Sequence, residues 1–182
     1  MTIELVWNKS DCTVTFKGIA IHAAPREYPP FTYQAIVEEQ DTNLLLSEQT
    51  ILKDPGKPAW YLANTLENGA SYPLGTVIIK GQNPKRLLAI VHDIERTPTC
   101  EPKTIHRAWQ NVIRAIEDNK ISSAAMPLLG SVHGKLPITT SISLFRECLD
   151  KNVPACLEKI WLILPGDCSC EYLAQLKDTN EC

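Results

Sequence analysis

Apolar and polar residues alternate along the first part of the chain, in residues 2–7 and again in residues 12–21. In the second run, Val14 and Phe16 share one side of the pattern and the threonines between and before them take the other. A period of two residues is that of a strand buried on one face. Both runs are therefore predicted to be strands.

A loop and a further strand follow. Residues 24–31 contain three prolines, which fix the backbone and donate no hydrogen bond, so this segment is predicted to be a loop. Residues 33–37 are predicted to be the next strand. The polar run Glu38-Glu39-Gln40-Asp41 is interpreted as a solvated loop.

From residue 76 onward, apolar strands alternate with helices that carry an apolar stripe. The unbroken apolar runs at 87–91 and 160–164 are typical of strands covered on both faces. The predicted strands are 76–80, 87–94, 122–129 and 157–164, and the predicted helices are 57–69, 104–118, 138–150 and one starting at Glu171. This order predicts a three-layer α/β/α sandwich with a mixed, mostly parallel sheet, in which Ile90, Ile113 and Ile163 are buried.

Length and composition narrow the class of protein. A chain of 182 residues with 44% hydrophobic residues predicts one globular domain over residues 1–182. Its 18 basic and 21 acidic residues give a net charge of −3, so general nucleic-acid binding is not expected. No apolar run approaches the length of a membrane span. Seven scattered cysteines, an odd number without framework spacing, favour a reduced, cytoplasmic protein.

The strongest candidate site follows the predicted strand at 122–129. We call residues 129–137 the glycine loop: Gly130 and Gly134 let the main chain approach a ligand, Ser131 can donate a hydrogen bond, and Lys135 adds positive charge. Because the loop leads into a helix, whose first N–H groups are unpaired, it can bind a phosphate. The alternative is a surface turn in which the glycines serve only the backbone.

At this loop the chain begins to resemble the macro domain family, whose members bind ADP-ribose and related nucleotides and in some cases remove ADP-ribose from proteins. The resemblance covers about residues 74–176. It rests on these segments: Gly75-Thr-Val-Ile-Ile-Lys-Gly81, Leu87-Leu-Ala-Ile-Val-His-Asp-Ile94, the helix at 104–118, Met126-Pro-Leu-Leu-Gly-Ser131, the helix at 138–150 and Trp161-Leu-Ile-Leu164.

Earlier in the chain, residues 34–46 are similar to the family's strand and asparagine-rich loop, with departures. Asp41 falls on the second asparagine, which contacts the distal ribose in the family. Val132 stands where a glycine admits the diphosphate, and Gly18-Ile19 is the nearest match to the Gly-Asp pair that reads adenine. The resemblance implies a ligand site made of Asp41, Asn43, Leu129, Gly130, Ser131, Val132, His133 and Gly134.

Other residues allow two interpretations. His92, at the end of a strand, could act as a general base or be a core histidine. Cys168-Ser-Cys170 could supply two metal ligands, but the sequence lacks the second pair of ligands that a structural zinc site requires. Trp60, Tyr61, Phe31 and Tyr33 could stack on a base or pack in the core. No catalytic residue, metal ligand or cofactor is assigned.

Two hypotheses about function remain open. The first is a divergent macro-like domain that binds a nucleotide or ADP-ribose-like small molecule, with hydrolysis of an ADP-ribosyl bond as the reaction if the protein is an enzyme. The second is a non-catalytic structural or protein-interaction module with a degenerate pocket, whose acidic or proline-rich segment contacts a protein partner. A membrane partner is not expected.

Overall fold

A computed structural model describes residues 12–46, 71–164 and 170–176 of the chain. Within these residues, seven strands form one sheet in the order β1-β2-β7-β6-β3-β5-β4. The elements are β1 Thr13–Phe16, β2 Ile19–Ala24, β3 Ala35–Asp41, β4 Val77–Lys80, β5 Lys85–His92, α1 Pro102–Asp118, β6 Ser123–Pro127, α2 Ile138–Lys151, β7 Lys159–Ile163 and a 3₁₀ helix Cys170–Leu176. The predicted strand at 2–7 and helix at 57–69 lie outside the described residues.

The sheet is mixed and mostly parallel, as predicted. Its five central strands, β2, β7, β6, β3 and β5, run parallel to one another, and the outer strands β1 and β4 pair antiparallel with their neighbours. The carboxyl ends of the five parallel strands therefore meet along one side of the sheet, which we call the carboxyl edge.

The prediction of a single strand at 12–21 is wrong, because this segment forms two antiparallel strands, the hairpin β1–β2. Lys17 and Gly18 both have positive φ, 47° and 85°, as a tight turn between antiparallel strands requires. The predicted alternation is confirmed in β1, where Val14 and Phe16 are buried and Thr13 and Thr15 are exposed.

Both described helices pack on the same face of the sheet. The stripe predicted for α1 is its buried side: Ile105, Ala108, Trp109, Val112, Ile113 and Ile116. The Trp109 ring lies 4.8 Å from the Phe145 ring of α2, and both join the main core with side chains of the sheet. A smaller cluster on the opposite face contains Ala24, Ile36, Ala125 and Trp161, with Phe31 and Tyr33 packed on it.

Of the three isoleucines predicted to be buried, Ile90 and Ile113 are, but Ile163 is only half-buried. Ile163 ends β7 at the carboxyl edge, where it lines a cavity instead of the core. The apolar run at 160–164 does not reveal that the end of this strand borders a cavity.

The expected reduced state is found at three described cysteines but not at a fourth. Cys100, Cys148 and Cys156 are free thiols, whereas Cys12 is disulfide-bonded. Among the described residues, no helix combines the length and apolarity that crossing a bilayer would require.

Candidate functional site

The acidic run at 38–41 is not the solvated loop that was predicted. All four residues belong to β3 and are buried, with exposures of 4%, 8%, 5% and 0%. Charged groups are rarely buried unless they are paired, so their burial depends on the partners described below.

The Glu38 carboxylate accepts two hydrogen bonds from one guanidinium. Arg86 Nε donates to Oε1 at 2.8 Å and Nη2 donates to Oε2 at 2.5 Å. Arg86 lies on the adjacent strand β5, and this paired geometry is the strongest that arginine makes with a carboxylate. The negative charge of Glu38 is therefore balanced within the sheet.

Asp41 organises the turn that follows β3. Its Oδ1 accepts the Asn43 N–H at 2.7 Å, and its Oδ2 accepts the N–H groups of Leu45 and Leu46 at 2.7 and 2.6 Å. Three backbone amides thus hold the carboxylate that the resemblance assigns to ribose contact.

Glu39 connects β3 to the glycine loop. Its Oε1 accepts the Gly130 N–H at 2.6 Å, and its Oε2 pairs with His92 Nε2 at 2.8 Å. An ionised carboxylate is an acceptor only, so His92 Nε2 is the donor in this pair when Glu39 is ionised. His92 is 1% exposed, so it occupies the position of a core histidine whose ring nitrogen orients Glu39.

A cavity of about 290 Å³ opens at the carboxyl edge beside this network. It lies at the ends of β2, β3, β6 and β7, the location where open α/β sheets bind ligands. Its lining is apolar at Val37, Pro127, Ile163 and Leu164 and polar at Arg26, Glu27, Glu38, Glu39, Ser131 and His133, with Val132 at its mouth. We call it the site cavity.

The glycine loop depends on its glycines for close packing. Gly130 has φ of 83°, and a Cβ placed there would lie 2.6 Å from Leu136 Cδ1. A Cβ at Gly134 would lie 2.2 Å from Cys100 Sγ. The loop therefore packs closely against Leu136 and Cys100 at these positions, and a side chain at either glycine would clash, whatever the loop binds.

The predicted site residues fall into three groups. Ser131, Val132 and His133 line the site cavity. Leu129 is buried, and Gly130 and Gly134 are the positions at which the loop packs closely against Leu136 and Cys100. Asp41 and Asn43 form the turn after β3 and are not among the described residues that line the cavity.

Sequence reasoning missed four polar groups of the cavity: Arg26 and Glu27, and also Glu38 and Glu39, which were interpreted as part of a solvated loop. Arg26 and Glu27 follow β2 directly, at the carboxyl edge. The sequence comparison matched Gly18-Ile19 to the family's Gly-Asp pair that contacts adenine. This pair lies at the start of β2, on the edge of the sheet opposite the cavity, so the match is wrong. The signal that could have found Glu27 is its place just after a predicted parallel strand, which the misplaced boundary of β2 obscured.

In the part of the chain that the structure describes, neither a reactive thiol nor a metal site is found near the cavity. Burial, together with the carboxylates of Glu39 and Glu101, raises the pKa of Cys100 to about 11, so the thiol stays protonated near neutral pH and is a poor nucleophile. Among the described residues, no group of three or more His, Cys, Asp and Glu side chains could hold a metal ion. Cys168 and the side chain of Cys170 lie outside that part of the chain.

Comparison with known structures identifies the fold. The macrodomain of Oceanobacillus iheyensis with ADP superposes with a TM-score of 0.62 at 16% identity, covering 90% of this chain and 93% of that one. The chain has the macrodomain fold. The macrodomain of Thermus aquaticus DarG gives a TM-score of 0.58 at 14% identity over 80% of this chain and 98% of its own. No protein-family model and no curated protein matches the sequence.

Proposed function

We propose that this macrodomain-fold chain binds an adenine nucleotide or an ADP-ribose-like ligand in the site cavity. The observation that carries the proposal is the cavity itself, which combines an apolar wall, polar groups from β2 and a glycine loop at one edge of the sheet. Solved macrodomain structures with ADP and with ADPR share this fold, and support the choice of ligand class.

The base would lie against the apolar wall. Val37, Ile163 and Leu164 provide a surface for a flat ring, and aromatic bases bind such surfaces without exacting geometry. The Glu27 carboxylate, beside this wall, can accept a hydrogen bond from the exocyclic amino group of adenine.

The phosphate would lie against the glycine loop. Val132 and His133 line the cavity, and their backbone N–H groups have no hydrogen-bond acceptor among the described residues. Successive unpaired amides form a concave site for an anion. The His133 ring completes the proposed contacts. The Ser131 hydroxyl donates its hydrogen to Leu128 O at 2.6 Å, so Ser131 lines the phosphate position without donating to it, while Gly130, Gly134, Leu129, Asp41 and Asn43 shape the two loops that border this position.

Calorimetric titration with ADP-ribose, ADP and AMP tests the proposal. We expect saturable binding of at least one of them, and competition between those that bind. Glu27→Ala should weaken binding about tenfold, the effect of losing one hydrogen bond to a charged acceptor. Glu158→Ala is the matched control, because this exposed glutamate precedes β7 at the opposite edge. No binding of any ligand by the parent protein would reject the proposal.

Hydrolysis of an ADP-ribosyl bond is a separate proposal with less support. His92 and Asp41 are held in the fold by other groups, so neither is placed to activate water. His133 is the imidazole that lines the cavity, and we assign it the role of general base for any reaction here. Release of ADP-ribose from a modified protein, lost in His133→Ala, would support this assignment.

The protein-interaction alternative now rests on the proline-rich segment alone. The acidic run at 38–41 is buried and cannot form a contact surface, whereas Tyr28 in the 24–31 segment is 48% exposed beside the cavity. Failure of all three nucleotides to bind would favour this alternative.

We also propose that the protein is located in the cytoplasm. The three free cysteines support it and the Cys12 disulfide counts against it, because disulfides are rare in reducing compartments. Alkylation of free thiols in intact cells, followed by mass spectrometry of the Cys12 peptide, tests the location.

A further inference from the structure

We infer that Glu39 is a built-in anion that occupies part of the phosphate site, so that the cavity prefers a nucleoside monophosphate to the diphosphate of ADP-ribose. This inference rests on the proposed function, because it concerns which ligand of that class the site cavity accepts. It makes Glu39 a specificity-determining residue.

The position of the carboxylate is the first argument. Glu39 Oε1 accepts the N–H of Gly130, the first glycine of the loop, at 2.6 Å. Backbone amides of such loops bind phosphate oxygens. The loop in this protein therefore gives one of its donors to an anion of its own chain.

The second argument is that this carboxylate is held in place. Its other oxygen pairs with His92 Nε2 at 2.8 Å, and both side chains are almost fully buried. Removing either group would leave a buried polar partner unsatisfied, which is costly. A ligand phosphate cannot simply displace Glu39 from the loop.

The third argument is the number of donors that remain. Gly130 is engaged, and the N–H of Ser131 donates to Leu128 O at 3.0 Å. The amides of residues 132–135 have no acceptor among the described residues, and of these four residues Val132 and His133 line the cavity. Two adjacent amides can bind the oxygens of one phosphate group. They are too few to balance a second.

Size acts in the same direction, whereas charge does not decide the preference. Glu38 is paired with Arg86 and Glu39 with His92, and the other two charged groups of the lining, Glu27 and Arg26, have opposite signs. The volume of about 290 Å³ is at the lower end of the range of ligand pockets, about 300–1,000 Å³. A nucleoside monophosphate is smaller than ADP-ribose, while both carry about two negative charges near neutral pH.

The first experiment compares AMP, adenosine and ADP-ribose by calorimetry on the full chain, with no substitution. We expect AMP to bind at least about tenfold more tightly than ADP-ribose, the factor for one charge-assisted hydrogen bond. Adenosine should bind more weakly than AMP. If ADP-ribose binds as tightly as AMP, the inference is wrong while the proposed function stands. If none of the three binds, both are wrong.

The second experiment assigns the preference to Glu39. Glu39→Gln keeps the size of the side chain and an acceptor for the Gly130 N–H but removes the charge, and Glu39→Ala also frees the amide. Both should shift the ratio of AMP to ADP-ribose affinity toward ADP-ribose by about tenfold. Glu158→Gln, which removes a carboxylate at the opposite edge, should leave the ratio unchanged. An unchanged ratio in folded Glu39 variants would contradict the assignment.

Discussion

The acidic side chains of β3 show that a charged sequence can form a central strand when each carboxylate has its own partner. Glu38 is paired with Arg86, Glu39 with His92 and the glycine loop, and Asp41 with three amides of its own turn. None of these partners is adjacent in sequence except those of Asp41. The sequence could therefore place the acidic run next to a strand, but it could not reveal that the run is buried.

Asp41 gives a prediction about stability. An asparagine at this position would retain one acceptor oxygen and present an NH₂ group toward amides that are themselves donors. We expect Asp41→Asn to lower the free energy of unfolding by about 1–3 kcal/mol, the cost of losing hydrogen bonds to a charged group. Urea denaturation measures it.

The control for this substitution is Asp118→Asn, at the exposed end of α1, which should change the free energy of unfolding by less than about 0.5 kcal/mol. If Asp41→Asn is as stable as the parent and binds nucleotide more tightly, the carboxylate acts as an unfavourable ligand group and not as the anchor of the turn.

At the scale of elements, prediction succeeded where burial imposes a period on the sequence. The stripe of α1 and the apolar runs of β5 and β7 identified those elements to within a few residues, because each must cover or cross the same core. It failed at β3 and at the β1–β2 turn. There, long-range pairing and a positive φ decide the structure, and neither leaves a periodic signal.

The glycine loop gives a prediction at this scale. Because a Cβ at Gly134 would lie 2.2 Å from Cys100 Sγ and 2.7 Å from Gly130 O, Gly134→Ala must displace the loop. We expect a loss of about 1–3 kcal/mol in the free energy of unfolding, typical of overpacking. Thermal and urea unfolding measure this loss.

A double-mutant cycle identifies the cause. Cys100→Ala removes the sulfur, so the Gly134→Ala substitution should cost less in that background than in the parent, with part of the cost remaining from the contact with Gly130 O. Equal costs in both backgrounds would show that the sulfur does not limit the loop.

At the scale of the whole molecule, the candidate site is a product of topology. The cavity takes residues from the ends of β2, β3, β6 and β7. The first two strands end more than eighty residues before β6 begins, and the four ends meet only because these strands are parallel. The sequence identified the glycine loop because its signal is local. Ile163 carries no local signal, and the signal of Glu27, its place directly after a strand, depends on the correct boundary of β2. That the two residues share one site follows only from the order of the strands.

The organisation of the chain as one domain over residues 1–182 is a prediction that unfolding can test. The two sides of the sheet carry separate buried tryptophans, Trp109 in the main core and Trp161 in the smaller cluster. If the chain is one cooperative unit, both environments must be lost together with the secondary structure. We expect the urea transitions of Trp109→Phe and Trp161→Phe variants, followed by tryptophan fluorescence and by far-ultraviolet circular dichroism, to coincide within each variant. Two separated transitions, one seen by fluorescence and the other by dichroism, would instead indicate a second folding unit in the chain.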